Sequence, residues 1–234
     1  MTENEKNDIL AKAKTFFIER IVTNHIHNTQ KLSKIDAFNQ NPFLLKYLAN
    51  FVFGDMSEES MAKALIYPRV LGTSINTTFG NQLQFFCNEV LSSYASTTSG
   101  IDIEFIDAID GRKKYCQVKA GPSTINNDDV TTIKSHFTAI KNLARTNRIA
   151  DFNPMTDCIV GVFYGAQEDL SGCYKSIAKE YPVFAGEEFW HRLTGDPDFY
   201  SDLINTFGEA ASEVTTFDLD SIINQLAESI REEI

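Results

Sequence analysis

The chain has 234 residues, of which 43% are hydrophobic and 12% aromatic, and its formal net charge is −11. It is long enough to bury a sizeable core. No segment reaches the ~18 consecutive apolar residues of a membrane span, so we expect no membrane partner. The charged, polar N-terminus is unlike a signal peptide, and the four cysteines are widely spaced. These features predict a cytoplasmic protein with reduced thiols.

The acidic charge does not exclude nucleic acid as a partner because the charge is unevenly distributed. Acidic residues are concentrated near the C-terminus, whereas residues 112–148 hold eight lysines and arginines against two aspartates. Such a local basic strip permits DNA binding by an acidic protein.

Hydrophobic periodicity predicts mainly helices in the first part of the chain and mixed structure afterwards. The helices predicted first cover residues 9–22, 43–53, 57–65 (capped by Ser57) and 79–94. Residues 101–109 and 112–119 then alternate around Asp110-Gly111, which indicates a β-hairpin. Further on, the pattern predicts a helix over 130–148, a buried strand over 158–164, short strands over 174–177 and 182–184, and helices over 187–193, 197–211 and 219–230.

These elements predict one α/β domain covering residues 1–234. Within it we expect a helical N-terminal portion (1–78), a core with the hairpin (79–193) and C-terminal helices (194–234). No internal repeat or low-complexity linker divides the chain.

The hairpin brings four polar residues to one face. A two-residue loop at Asp110-Gly111 would place Glu104 opposite Gln117 and Asp102 opposite Lys119. Side-chain direction alternates along a strand, so all four would share one face. The opposite face would receive apolar residues, namely Ile103, Phe105, Cys116 and Val118.

This set of side chains is suited to phosphodiester hydrolysis. Carboxylates such as Asp102 and Glu104 are hard oxygen ligands that bind Mg²⁺, and the carbonyl of Val118 is an additional candidate ligand. Lys119 beside them can stabilise negative charge in the transition state. The alternative is a solvated sheet face with cross-strand ion pairs, because an acid followed at some distance by an (Asp/Glu)-x-Lys pattern is a weak signal.

A wider resemblance favours the catalytic interpretation. The segment GIDIEFIDAIDGRKKYCQVKAGPSTIN (100–126) resembles the core of type II restriction endonucleases of the PD-(D/E)XK superfamily, in particular those that cut GGNCC-type sites. The runs IVGVFYG (159–165) and VFAGEEFW (183–190) resemble segments of the same enzymes. The resemblance implies a restriction-endonuclease-like central mixed β-sheet flanked by helices. It also implies hydrolysis of double-stranded DNA at a short palindrome with Mg²⁺, for which Mn²⁺ would substitute.

The resemblance assigns roles to individual residues. Asp102 would be the superfamily's first aspartate, a metal ligand, and Lys119 its lysine. The sequence departs from the pattern at Gln117, where most members have a carboxylate. Glu104 or Glu89 would then supply the missing charge, and the sequence leaves both open.

Short polar and basic residues after the hairpin are candidates for DNA contacts. Helix capping by Asn126 or Asp128, or a solvated helix face for the lysines, is the alternative. The candidates are Ser123, Thr124, Asn126, Asn127, Asp128, Lys134 and Lys141.

A palindromic target would require a two-fold symmetric homodimer with one hairpin for each DNA strand. The N-terminal portion is the expected dimer surface because it holds apolar side chains beyond what the α/β part needs: Phe16, Phe17, Phe43, Phe51 and Phe53. Two other functions remain open at this point, a repair nuclease or junction resolvase of the same superfamily, and a DNA-binding module that has lost activity at Gln117.

Overall fold

A computed structural model describes residues 1–214 and 217–233. The chain divides into two compact units. The first, here called the sheet unit, comprises Met1–Phe16 and Gln82–Glu209; the second, the helical unit, comprises Phe17–Asn81 and Ala210–Ile234. No helix in the described ranges is both long and apolar enough to cross a membrane.

Helices make up most of the described chain. In chain order they are α1 (Glu3–Phe16), α2 (Thr23–Gln30), α3 (Pro42–Phe53), α4 (Glu58–Pro68), α5 (Ser74–Glu89), α6 (Asn127–Thr146), α7 (Pro154–Asp157), α8 (Gly172–Ile177), α9 (Glu187–Thr194), α10 (Phe199–Glu213) and α11 (Leu219–Glu233). Two π-helical segments (Phe17–Val22 and Arg69–Thr73) and three 3-10 turns (Ile35–Ala37, Ser92–Tyr94 and Gln167–Asp169) lie between them.

The sheet unit contains a four-stranded mixed sheet. Its strands are β1 (Ile103–Ile106), β2 (Lys113–Lys119), β3 (Cys158–Val162) and β4 (Val183–Ala185), and they lie side by side in this order. β1 pairs antiparallel with β2, whereas β2, β3 and β4 are parallel. The predicted mixed sheet, flanked by helices and preceded by a helical region, is therefore confirmed.

Apolar side chains cover both faces of the sheet. On one face, Ile133, Phe137 and Ile140 of α6 pack in a buried cluster with Val160 and Val162 of β3. This packing fixes α6 against the strands that follow the hairpin.

Aromatic side chains cover the other face of the sheet. Phe163 makes edge contacts with Phe86 and Trp190, at 5.1 and 4.9 Å between ring centroids. Trp190 is fully buried and its Nε1 donates to the Phe163 carbonyl at 2.9 Å. A Cβ at Gly161 would lie 2.2 Å from the Phe189 ring, so the strand must have glycine there.

The helical unit has a core of its own. Leu45 of α3, Met61 and Ile66 of α4, and Ile223 and Leu226 of α11 belong to one buried cluster. The C-terminal helix thus packs with helices from the first third of the chain.

Several predicted element boundaries differ from those observed. Ser57 caps α4 as expected and accepts a hydrogen bond from the Ser60 N–H at 3.2 Å. The helix predicted over 79–94 instead runs from Ser74 to Glu89. The strand predicted over 174–177 is wrong, because these residues form the end of α8. Tyr174 and Ile177 are both buried, and their spacing of three is helical.

The predicted hairpin register is also wrong, by two residues. Glu104 lies opposite Tyr115, not Gln117. Asp107 causes the shift, because it lengthens the turn: its N–H donates to the Arg112 carbonyl at 2.9 Å, and its side chain accepts from the Ile109 N–H at 2.8 Å. A shift of two leaves the facing of every side chain unchanged.

Candidate active site

Asp102 lies just before β1 and is attached to β2 by its main chain and its side chain. Its N–H donates to the Cys116 carbonyl at 3.1 Å. Its carboxylate oxygen Oδ2 accepts from the Val118 N–H at 2.7 Å. The carboxylate therefore accepts a hydrogen bond that a main-chain carbonyl of a longer β1 would accept. This bond holds it beside the last residues of β2.

Asp102 is half-buried, and its surroundings shift the pKa of its carboxyl. Burial raises the pKa of this carboxyl, while the Val118 N–H and the charge of Lys119 act to lower it. A carboxylate that loses part of its hydration gains more from a nearby cation than a solvated one does. The sequence-predicted neighbours Asp102 and Lys119 are thus within electrostatic reach of each other.

Lys119 ends β2 and is half-buried. Its carbonyl accepts from the Phe163 N–H at 2.8 Å, which fixes its backbone against the segment after β3. Within residues 1–214 and 217–233 its ammonium group has no ion-pair partner, whereas Lys113 and Lys114 of the same strand are paired with carboxylates. Its charge is therefore available to a ligand.

Gln117 is buried, with 4% of its surface exposed. Its amide nitrogen Nε2 lies 2.6 Å from the Gly100 carbonyl oxygen and 2.6 Å from Nδ1 of His136. The polar face of the hairpin is consequently covered by α6 at this residue, rather than open to solvent.

Glu104 has three partners of its own. Its Oε1 accepts from the hydroxyls of Ser96 at 2.6 Å and Thr98 at 2.8 Å, and its Oε2 pairs with Lys113 at 2.7 Å. Burial raises the pKa of Glu104, but these hydrogen bonds outweigh it and hold the pKa below the ordinary value. Its role as a metal ligand stays a prediction, and Lys113 would have to release the carboxylate for it.

Glu89 is the exposed last residue of α5. Cys87, two residues earlier on α5, is within reach of the site, because burial and the Asp102 charge raise the pKa of its thiol. Residues two apart on a helix point to different sides. A ligand role for Glu89 therefore stays a prediction too.

The candidate DNA-contacting residues lie on the segment that follows β2 and on α6. Asn126 caps α6, since its Oδ1 accepts from the N–H groups of Asp128 at 2.8 Å and Asp129 at 3.0 Å. Thr124 donates to the Gly121 carbonyl at 2.9 Å, and Lys134 pairs with Glu180 at 2.6 Å. The others are exposed: Ser123, Asn127, Asp128 and Lys141.

Two residues of the site were missed from the sequence, His136 and Gly100. A signal for His136 was present, because it lies three residues after Ile133 and four before Ile140, on the inward side of α6. Gly100 has a φ of +79°, and a Cβ there would lie 2.6 Å from the His136 ring. That close approach could not be anticipated without the structure.

The donor set suits a hard cation. No three His, Cys, Asp or Glu side chains cluster as metal ligands in the part of the chain that the structure describes. The oxygens that Asp102 and the end of β2 can offer are instead of mixed type: a carboxylate, the amide oxygen of Gln117 and the Val118 carbonyl. The N–H of Val118 points toward Asp102, and the carbonyl of a strand residue points to the same side as its N–H. Oxygen ligands of this kind, completed by water, are those Mg²⁺ takes in proteins.

A comparison with known families decides the class of the protein. The family model for the type II restriction endonuclease EcoO109I matches residues 6–215, most of the chain. The chain belongs to this family. It is thus a DNA endonuclease of a restriction-modification system, as the resemblance of residues 100–126 predicted. No curated protein matches it.

Proposed function

We propose that the chain is a Mg²⁺-dependent endonuclease that cuts double-stranded DNA at a short palindromic GGNCC-like site, with Asp102 and Lys119 at its catalytic centre. The observation that carries the proposal is the Asp102 carboxylate, held by the Val118 N–H at 2.7 Å within reach of the Lys119 charge. In a restriction endonuclease this pair matches the chemistry that phosphodiester hydrolysis needs.

Asp102 would hold the cation, together with Gln117 Oε1 and the Val118 carbonyl. When bound, Mg²⁺ supplies a more acidic water and neutralises charge on the phosphate. Lys119 forms no ion pair among the described residues and would stabilise the negative charge that develops on the scissile phosphate. Mn²⁺, which also accepts oxygen ligands, should substitute. Glu104 and Glu89 remain candidates for an additional carboxylate.

DNA contacts are proposed for the exposed segment after β2. Ser123, Asn127 and Lys141 are exposed and lie on or next to α6, which is anchored beside the site. Asn126 and Thr124 already bond to the backbone, so they would position this segment or contact DNA through their remaining polar atoms. Phosphate contacts of this kind fix the register of a protein on the duplex.

A homodimer is proposed because a palindrome presents the same bond twice. Helix α3 supports it: six of its large apolar side chains are exposed, namely Phe43, Leu44, Tyr47, Leu48, Phe51 and Val52. They recur at a spacing of four and form one stripe. Exposed apolar surface of this extent is typical of an interaction site, and a second copy of the chain is the partner that a palindrome requires.

Digestion of a plasmid of known sequence, followed by sequencing of the fragment ends, tests the proposed activity. We expect discrete fragments in Mg²⁺ or Mn²⁺, no cleavage in EDTA, and ends that share one GGNCC-like motif. Cleavage confined to branched or damaged DNA would instead indicate a repair nuclease or junction resolvase.

Two substitutions test the assignment of the residues. We expect Asp102→Ala and Lys119→Ala to lower the cleavage rate by about 10²–10³-fold or more, because each removes an electrostatic group of the transition state. DNA binding should change little in both variants, and the midpoint of thermal unfolding should change little in Lys119→Ala. Asp102→Ala also leaves the Val118 N–H without its acceptor, so circular dichroism is used to verify that this variant folds. Lys12→Ala, which removes an exposed lysine of α1, is the control. Full activity in either active-site variant would refute the assignment.

A further inference from the structure

The amide nitrogen of Gln117 has two acceptors and uses both of its hydrogens. The Gly100 carbonyl and Nδ1 of His136 each lie 2.6 Å from Nε2. A primary amide nitrogen carries two N–H bonds, so these contacts complete its hydrogen bonding. Oxygen Oε1 is left as the only group that the side chain can offer to a ligand.

These contacts also decide which way the amide faces. Turned over, the amide would place Oε1 against the Gly100 carbonyl oxygen, and neither atom carries a hydrogen. For Nε2 to donate to both partners, Nδ1 of His136 must be unprotonated, so the ring hydrogen sits on Nε2 of the imidazole. The Gly100 carbonyl thus fixes which end of the amide faces it, and His136, in the tautomer protonated on its Nε2, accepts the second amide hydrogen.

Neighbouring groups hold the His136 ring in place on two sides. The ring lies against Gly100, where a Cβ would come within 2.6 Å of its Cγ. Its helix is fixed at the start by the capping box of Asn126 and Asp129. The flanking Ile133 and Phe137 are fully buried. The ring is thus constrained by backbone on one side and by core packing on the other.

An amide ligand needs such a partner more than a carboxylate does. A carboxylate presents an oxygen whichever way it turns, whereas an amide has one oxygen and one nitrogen that bears hydrogens. An unoriented glutamine would face a cation with its N–H groups in half of its orientations. Partners behind a ligand that fix its orientation are a general feature of metal sites.

We propose that His136 is a positioning residue that orients Gln117 so that Oε1 serves as a neutral oxygen ligand for the divalent cation. This inference rests on the proposed metal-dependent function. It explains how glutamine can occupy the position at which most superfamily members have a carboxylate. Gly100 completes the arrangement by accepting the second hydrogen and by leaving room for the ring.

Direct Mn²⁺ binding tests this inference without relying on cleavage. The EPR signal of free Mn²⁺ is followed as the full-length protein is titrated. His136→Phe keeps a ring but removes the acceptor, and we expect it to weaken Mn²⁺ affinity by about tenfold or more. His136→Asn should recover most of the affinity, because Oδ1 of asparagine can lie near the place of Nδ1. His191→Leu, at a half-buried histidine of α9, should bind like the wild type.

A double-mutant cycle separates positioning from a general loss of structure. Gln117→Met should weaken Mn²⁺ binding as much as His136→Phe, and the double variant should lose no more than either alone. If His136→Phe does not fold, as judged by thermal unfolding, His136→Leu takes its place in the cycle.

The outcomes distinguish this inference from the proposed function. If His136→Phe binds Mn²⁺ like the wild type while Asp102→Ala does not bind, or if the losses add, the positioning role is refuted and the metal site stands. If the wild-type protein binds no divalent cation, alone or with DNA, the proposed function fails and the inference fails with it.

Discussion

At the scale of single residues, Gln117 departs from the family pattern, and the groups around it are suited to an amide. The buried amide donates to the Gly100 carbonyl, which a carboxylate cannot do. Glycine at position 100, with its positive φ, and histidine at position 136 are matched to an amide. The three residues form one local unit, so a substitution at one of them changes the hydrogen bonds that the other two can make.

Restoring the common carboxylate should therefore destabilise the protein. Gln117→Glu would place a carboxylate oxygen near the Gly100 carbonyl oxygen, now 2.6 Å from Nε2, and leave a buried acceptor without its donor. We expect the free energy of unfolding in urea to fall by about 1–3 kcal/mol. Gln84→Glu, at an exposed position of α5, should cost much less. Equal stability of the two variants would contradict this account of the amide.

At the scale of elements, the sequence predicted the hairpin and its facing but not its register. Alternation in 101–109 and 112–119 was sufficient to separate Ile103 and Cys116 from Glu104 and Gln117. The turn was harder to predict, because Asp107, which flanks it, also pairs with a distant element: its carboxylate lies 2.9 Å from Arg192 of α9. Local turn signals contain no information about such a partner.

The same ion pairs make Asp107 important for the stability of the hairpin. Asp107 and Lys114 are almost completely buried, and Arg192 is largely buried. Asp107→Ala would leave two cations without this carboxylate, and we expect a loss of about 3–5 kcal/mol in the free energy of unfolding. The neighbouring Asp110, whose side chain is 36% exposed and which also contacts Lys114, is a matched control. Asp110→Ala should cost about 1 kcal/mol or less, and a reversed order would refute the assignment.

At the scale of the whole molecule, helical periodicity predicted most helices but not how the chain is distributed between units. Helix α1 belongs to the sheet unit: Lys6 pairs with Asp196 at 2.7 Å and Asp202 at 2.5 Å. Helix α11 belongs to the helical unit, where Ile223 and Leu226 join the buried cluster. Packing between residues some two hundred positions apart leaves no pattern in the local sequence from which it could be predicted. The nearness of Asp102 and Lys119 could be predicted because one hairpin supplies both, whereas His136 comes from a separate helix.

The exposed face of α3 leads to a prediction about assembly. Phe43 and Phe51 are 89% and 73% exposed, and Tyr47 stacks on Phe51 with 5.7 Å between ring centroids. Leu45 and Ala49 of the same helix are buried, so the helix is folded against its own unit while its other side presents apolar surface. Water contact with so much apolar surface is unfavourable, and self-association would remove it.

Phe51→Glu should therefore shift the protein toward monomers. A charge placed in the centre of a dimer interface should cost about 2 kcal/mol or more, which raises the dissociation constant more than tenfold. Sedimentation velocity at several protein concentrations measures this shift, and circular dichroism verifies that the helices persist. Ile204→Glu, at a 52% exposed apolar residue of α10, should leave the association unchanged. If the target is a palindrome, as proposed, Phe51→Glu should also slow double-strand cleavage at low protein concentration. A stable dimer of this variant would show that α3 is not the interface.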